Sequence, residues 1–250
     1  MATSNKPCPS NKSQPFSEST FMKPYRVGVL GGMGPLAGIE LHRLIIEATP
    51  AQIDQDHLQV VLFTDPKIPD RSTSLIRDGG RSFAAAAAKS AQVLEQAGVD
   101  IISLACMTAH SRLAVIQAAV GVPVLNGIEL TQELLDRDYA GKRIALLATT
   151  GSIKAEIYTA GSRTIDWLLP EPAAQSRIMA GIYDIKAGHF EHGADKITDT
   201  LGELTARGAS VFVLGCTEIG LLQGRLTDLG YEVVDPMRVL ASKVVELSQF

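Results

Sequence analysis

The strongest constraint on this chain is an internal repeat that ends each time in a cysteine. An apolar, β-branched run stops at Cys106, a second one stops at Cys216, and a hydroxyl residue follows each cysteine within two positions. Such a run before a helical pattern is typical of a buried strand followed by a helix. The short strand patterns at 26–30 and 143–147 open the two repeats, and each passes into a glycine-containing turn. The sequence therefore predicts two similar halves, each presenting one thiol at an equivalent point.

Strand and helix patterns alternate along the chain, which predicts an α/β fold whose halves are related by a pseudo-twofold axis. We expect residues 24–126 together with 233–250 to form the first domain and residues 127–232 the second. The strand near 231–234 and the helix after it are expected to return to the first half, because the second half already has its strands. Residues 1–23, rich in Ser, Asn, Lys and Pro, are predicted to be a disordered tail.

Composition narrows the class of protein. Hydrophobic residues make up 46% of the 250 residues and the formal net charge is −4, so a sizeable core is expected and no nucleic-acid partner is indicated. No apolar run approaches the length of a membrane span and no signal peptide is recognisable, so no membrane partner is expected. Three cysteines do not make a disulfide framework. Reduced thiols and a cytoplasmic location are the expectation.

The glycine loop after the first strand suits close approach of a ligand to the backbone. Gly32, Gly34 and Ala37 fit the spacing G-x-G-x-x-A of dinucleotide sites, but Pro35 lies within it and no acidic residue ends a second strand at the required place. A small carboxylate at the helix N-terminus fits better, and a tight turn without a ligand is the alternative.

Two polar loops are weaker candidates. Asp54, Asp56 and His57 resemble a metal cluster only loosely, with no further ligand pattern, so we expect a solvated or interface loop and no metal. Arg71 follows the second strand at the carboxyl side of the sheet, where open α/β sheets bind ligands. It could bind a carboxylate, and a surface ion pair is an equal alternative on this ground.

Two opposed thiols allow one particular reaction. A strand-to-helix turn should lower the pKa of a thiol from about 8.5 toward neutrality. One ionised and one protonated thiol on opposite faces of a carbon atom can remove a proton from one side and return one to the other, which inverts a stereocentre. Either cysteine alone would more often be a small buried hydrophobic residue. Equivalent placement of Cys106 and Cys216 in a repeat favours catalysis.

Five motifs together resemble the aspartate/glutamate racemases that need no pyridoxal phosphate, in the aspartate racemase branch. They are Gly31-Gly32-Met33-Gly34-Pro35, Asp54-Gln55-Asp56-His57, Ile68-Pro69-Asp70-Arg71, Ala105-Cys106-Met107-Thr108-Ala109-His110 and Gly215-Cys216-Thr217-Glu218. The resemblance runs from about Arg26 to the C-terminus. It implies two α/β domains with parallel sheets, an active site in the cleft between them, a homodimer, and no metal or organic cofactor.

The resemblance also assigns residues. It makes Cys106 and Cys216 the catalytic thiols, and it places Arg71 and Lys186 on the side-chain carboxylate of the substrate. Positions that line the α-amino-carboxylate end of the substrate match Met33, Gly34, Thr108, Thr217 and Glu218.

Met107 departs from the family pattern, which usually has asparagine beside the first cysteine. A thioether cannot donate the hydrogen bonds of an amide. We expect Met107 to alter the preferred substrate and the rate of the reaction. The class of reaction should be unchanged, because both thiols remain.

The leading hypothesis is a cofactor-independent racemase that interconverts L- and D-aspartate, with glutamate as a second substrate. A decarboxylase or an isomerase of a small dicarboxylic acid on the same fold is one alternative. Retention of both thiols with Arg71 and Lys186 favours the racemase. A non-catalytic protein that binds an acidic amino acid is the other alternative, for which Met107 is the sequence argument.

Overall fold

The computed structural model describes residues 25–161 and 164–248, so the predicted tail at 1–23 lies outside the described residues. The first half contains β1 (Arg26–Gly31), α1 (Pro35–Ala48), β2 (Gln59–Thr64), α2 (Arg71–Asp78), α3 (Arg81–Gln96), β3 (Ile101–Leu104), α4 (Leu113–Gln117) and α5 (Gly127–Asp138), with 3₁₀ helices at Asp54–Asp56 and Met107–Arg112. The second contains β4 (Arg143–Leu147), α6 (Thr150–Lys154), β5 (Asp166–Leu168), α7 (Pro172–Lys186), α8 (Phe190–Ala206), β6 (Val211–Leu214), α9 (Thr217–Gly220), α10 (Gln223–Asp228), β7 (Val233–Val234) and α11 (Pro236–Ser248).

Both sheets are parallel and have the same strand arrangement. The first has the order β2-β1-β3 and the second β5-β4-β6-β7. In each half the first strand is central, the next strand along the chain lies on one side of it, and the cysteine strand lies on the other. The sequence repeat is therefore a repeat of topology, in an α/β fold with parallel sheets.

The strand β7 differs from the expectation that it returns to the first half. It pairs in parallel with β6 in the second sheet. The first half has an equivalent, because Val124 forms a single parallel bridge with Ile102 of β3. Corresponding hydrogen bonds hold both segments: Ile102 N–H donates to Pro123 O over 2.8 Å, and Phe212 N–H donates to Glu232 O over 2.9 Å. The repeat thus extends one strand further than the cysteine motifs indicated.

The helix α11 then leaves the second sheet and packs against α1 and α5. One hydrophobic core lies between the halves and draws on both, with Val29 and Leu41 from the first, Ile144 and Tyr158 from the second, and Leu240 from α11. Two further cores fill the outer faces of the two sheets. Nothing among the described helices has the length and hydrophobicity that a membrane span needs.

Two helices of the second half have clear limits. The helix α7 begins at Pro172, because proline suits the first helical position. The helix α6 is short and ends at Lys154.

The loop between β1 and α1 depends on Gly32. Its φ is +95°, and a Cβ there would lie 2.3 Å from the backbone of Asp65, so only glycine fits. Gly34 caps α1 without a side-chain bond and Pro35 opens the helix. The turn brings Met33 and Gly34 to the carboxyl edge of the first sheet.

Asp235 is a buried acid at the start of α11. Its carboxylate accepts a hydrogen bond from Met237 N–H over 2.9 Å and packs against Gly220 of α9. Burial is the largest influence on its pKa, which is raised from 3.8 to about 7. Since the folded state holds the proton more tightly than the unfolded state, ionisation of Asp235 destabilises the fold as pH rises from about 4 to above 7.

Replacing Asp235 by Asn should therefore stabilise the protein at alkaline pH. The amide oxygen can still cap α11, and the buried charge is removed. We expect the gain in unfolding free energy over the parent to grow by about 4 kcal/mol between pH 4 and pH 8, measured by urea denaturation. The exposed Asp199→Asn is the control. A gain that does not depend on pH would contradict the assignment.

Candidate active site

The two thiols lie at equivalent points of the fold and border one cavity. Cys106 follows β3 and Cys216 follows β6, and each is free and 5% exposed. The cavity between the halves has about 370 Å³ of space, part of it open to solvent. Its lining residues are Met33, Asp70, Arg71, Ser72, Cys106, Met107, Thr108, Thr149, Met179, Ile182, Tyr183, Lys186, Cys216, Thr217 and Glu218.

Nine of the ten site residues predicted from the sequence are in that lining, and Gly34 is the exception. Gly34 lies beside a neighbouring cavity that also contacts Arg71, Lys186, Thr217 and Glu218. A Cβ at Gly34 would lie 3.2 Å from Glu218 Oε1 and 3.8 Å from Lys186 Nζ. Gly34 therefore leaves room for these two charged groups.

A chain of polar contacts joins one thiol to the cation from α7. Lys186 Nζ donates to Glu218 Oε1 over 2.7 Å, and Cys216 Sγ donates to Glu218 Oε2 over 3.0 Å. The hydroxyl of Thr217 donates to the same Oε2 over 3.2 Å. One buried carboxylate thus contacts both a lysine and a thiol.

The pKa values in this chain follow from burial and from these contacts. Burial alone would raise the pKa of Glu218, but the charge and hydrogen bond of Lys186 hold it below its usual value. Burial opposes the charge on Lys186, yet the Glu218 carboxylate raises the lysine's pKa. Both groups are therefore ionised at neutral pH.

The predicted lowering of thiol pKa is wrong for Cys216. Burial, and next the adjacent Glu218 carboxylate, raise the pKa of this thiol well above its usual value. The helix α9 that follows Cys216 has only four residues, too few for a strong dipole, and Glu218 places a negative charge in its first turn. Without substrate, Cys216 is a protonated hydrogen-bond donor.

Arg71 is a buried cation with unused donor capacity. Its guanidinium donates to the carbonyl oxygens of Met33, Pro69 and Ile68. Its Nε has no hydrogen-bond partner in the described part of the chain, nor does any carboxylate there form an ion pair with it. Lys186 Nζ also donates to Met33 O, over 3.3 Å, so both cations converge on one oxygen. The two cations share this part of the cavity with the carboxylates of Asp70 and Glu218.

Hydroxyl groups beside the cavity connect the two halves. Thr108 Oγ1 lies 3.2 Å from Thr149 Oγ1 and 2.9 Å from Ser152 Oγ, and these two hydroxyls are 3.0 Å apart. Next to them Gly151 packs so closely on Ser72 that a Cβ would lie 2.7 Å from the serine oxygen. These contacts join the two halves next to the cavity.

Met107 borders the cavity but also belongs to the core between the halves. Its Sδ and Cε each lie 3.6 Å from the point where a Cβ on Gly127 would be. The thioether thus packs against the start of α5.

Several lining residues were missed from the sequence. Met179, Ile182 and Tyr183 precede Lys186 by seven, four and three residues, so helical spacing places them on the same face of α7. That spacing could have identified them.

The internal repeat could have identified Thr149, another lining residue that was missed. The loop after β4, which carries Thr149, is the equivalent of the glycine loop after β1. Asp70 and Ser72 flank Arg71, and Asp70 caps α2 by accepting from Thr73 N–H over 2.8 Å.

The three residues considered as weak metal ligands are not in the lining of the thiol cavity. Asp54, Asp56 and His57 are exposed in and beside a 3₁₀ helix, and the Asp56 carboxylate accepts from the N–H groups of Gln52 and Ile53. Within residues 25–161 and 164–248, no three His, Cys, Asp or Glu side chains are grouped to hold a metal ion.

The sequence around this site matches that of a known protein family. The sequence model of the Asp/Glu/hydantoin racemase family matches residues 30–244. The chain belongs to that family. Both thiol-bearing turns, the glycine loop and the two cations of this racemase family member lie within the matched residues.

Individual relatives agree with that membership. The solved aspartate racemase of Picrophilus torridus is 28% identical, with a TM-score of 0.81 over 90% of this chain and 94% of that chain. The broad specificity amino-acid racemase RacX of Bacillus subtilis is 25% identical over 88% of this chain and 96% of its own. A glutamate racemase of Francisella tularensis, solved with D-glutamate, shares the fold at 17% identity, with a TM-score of 0.61 over 89% of this chain and 80% of that chain.

Proposed function

We propose that this protein is a cofactor-independent racemase of acidic amino acids, with aspartate as its first substrate, and that Cys106 and Cys216 are its two bases. The observation that carries the proposal is one cavity bordered by both free thiols and by two converging cations. Similarity to the aspartate racemase of Picrophilus torridus supports the choice of aspartate.

The charges around the cavity complement an acidic amino acid. Such a substrate carries two carboxylates and one ammonium at neutral pH. Arg71 and Lys186 can bind the side-chain carboxylate of such a substrate, where the family resemblance places them. The buried Nε of Arg71 has no hydrogen-bond partner among the described residues, so the guanidinium keeps unused donor capacity.

Substrate binding would also activate Cys216. A carboxylate that competes for Lys186 weakens the lysine's hold on Glu218, so the pKa of Glu218 rises. Glu218 Oε2 then takes the proton from Cys216 Sγ, from which it already accepts a hydrogen bond. The resulting thiolate removes the α-proton on its own face, and the thiol of Cys106 delivers a proton to the other face. By family resemblance, Cys216 serves the L form and Cys106 the D form.

A broader amino-acid racemase is the second candidate. Part of the cavity wall is made of soft or aliphatic side chains, Met33, Met107, Met179 and Ile182, which favour less polar substrates. The similarity to the broad specificity racemase RacX supports the same candidate.

Circular dichroism of L-amino acids incubated with the protein tests both candidates. We expect the signal of L-aspartate to decay to zero without a change in mass, and faster than the signals of L-glutamate, L-methionine and L-alanine. Equal decay for neutral and acidic amino acids would favour the broader enzyme. Decay with release of CO₂ would identify a decarboxylase, and the absence of decay for every substrate would contradict a racemase.

A further inference from the structure

His110 is a buried titratable side chain that the proposed proton transfers do not use. It lies in the 3₁₀ helix Met107–Arg112, four residues after Cys106, and is 8% exposed. In the described part of the chain it borders a separate, shallow cleft with Asn126 and Gln132, and it is not in the lining of the thiol cavity. Direct contact of its ring with a substrate between the thiols is therefore not expected.

The protonation of His110 is fixed by its surroundings. Its Nδ1 lies 3.0 Å from the main-chain oxygen of Cys106, and because a carbonyl only accepts, Nδ1 carries the hydrogen. Burial lowers the pKa of the imidazole to about 4, so the ring is neutral at pH 7. Nε2 consequently bears a lone pair, and it has no hydrogen-bond partner among the described residues.

The ring has little freedom to move. Nε2 lies 3.3 Å from the point where a Cβ on Gly127 would be, so the first residue of α5 packs directly against it. The carbonyl of Cys106 also accepts from Ala109 N–H over 3.1 Å. The imidazole thus connects the turn that carries Cys106 to the start of α5.

The two thiols are supported in different ways. Cys216 contacts a charged carboxylate through its sulfur. The bond from His110, in contrast, reaches Cys106 through the main chain and leaves its sulfur free for the cavity. A group that acts on only one thiol should affect only the half of the reaction that this thiol serves.

We propose that His110 is a positioning residue for Cys106, holding its main chain through the neutral Nδ1–H so that the thiol faces the substrate α-carbon. The inference rests on the proposed racemase function. It predicts that loss of the Nδ1–H donor impairs proton removal from D-aspartate much more than from L-aspartate.

Three substitutions of His110 distinguish the effect of losing the Nδ1–H donor from the effect of losing the volume of the ring. In His110→Asn the amide nitrogen can take the place of Nδ1, in His110→Gln it reaches instead toward the place of Nε2, and His110→Leu has no donor. Exchange of the α-hydrogen in D₂O, followed by NMR for each enantiomer, measures the two half-reactions separately. We expect exchange of D-aspartate to fall about 10²-fold in the Gln and Leu variants, as for a misplaced reacting group, and to recover most of the loss in His110→Asn. Exchange of L-aspartate should stay within about threefold of the parent in all three.

Gly127→Ala displaces the ring without changing it, because the added methyl would press on Nε2. It should reproduce the D-selective loss in milder form, and it provides a test if a substitution at His110 itself prevents folding. Equal losses for both enantiomers, or no loss in folded His110→Leu, would overturn the inference. A parent protein that exchanges neither enantiomer would instead refute the racemase proposal, so the two failures are distinguishable.

Discussion

Replacing Cys106 or Cys216 by alanine is expected to reduce racemisation of aspartate by about 10³-fold or more, because inversion needs a base on one face and an acid on the other. Both thiols border the same cavity, and each follows the cysteine strand of its own half. Polarimetry or circular dichroism of each enantiomer measures the loss. Cys8→Ala is the matched control, since Cys8 precedes the family match, and it should keep the parent rate.

The two effects should be strongly non-additive. Once one thiol is gone, inversion has already stopped, so the double variant should be little slower than either single one. Exchange in D₂O should reveal the division of labour: Cys106→Ala should still exchange the α-hydrogen of L-aspartate, and Cys216→Ala that of D-aspartate. If either single variant racemised aspartate at close to the parent rate, the two-base mechanism would be contradicted.

The second large effect is expected at the ion pair between Lys186 and Glu218. In Lys186→Met the carboxylate of Glu218, 5% exposed, loses its counter-charge while remaining buried. Such a loss costs about 3–5 kcal/mol of unfolding free energy. Turnover of aspartate should fall as well, because Lys186 is a proposed carboxylate ligand. Chemical denaturation and steady-state kinetics measure the two effects.

The pH dependence of this loss has a definite sign. The pair holds the folded-state pKa of Glu218 below its usual value, so its stabilisation is present above the unfolded pKa and disappears as pH falls through the folded one. The destabilisation of Lys186→Met should accordingly be largest near neutral pH and shrink in acid, where Glu218 can take up a proton.

A double-mutant cycle isolates the interaction. Adding Glu218→Gln to Lys186→Met removes the unpaired charge, so part of the lost stability should return while activity does not. Arg177→Met is the matched control, since Arg177 lies on the same helix and pairs with Glu203 at an exposed site, where about 1 kcal/mol or less is expected. Equal costs at Lys186 and Arg177 would show that the buried pair has no special role.

Local sequence patterns were enough to predict the plan of the molecule. Alternating strand and helix patterns predicted the α/β class, and the repeated cysteine strands predicted two similar halves with equivalent thiols, because both rest on local periodicity. Resemblance to a family then supplied Arg71 and Lys186, and nine of the ten named residues lie around one cavity. The homodimer and the cytoplasmic location stay predictions.

The charges of the site and the contacts around its cavity depend on how the chain packs in three dimensions. The pairing of β7 with β6, the contact of Thr108 with Thr149, and the link from Lys186 to Glu218 join residues far apart in sequence, so no local pattern specifies them. The pKa of Cys216 went against the expectation drawn from its strand-to-helix turn. A thiol's pKa depends on its burial and on the charges that the fold places beside it, and both are properties of packing rather than of sequence spacing.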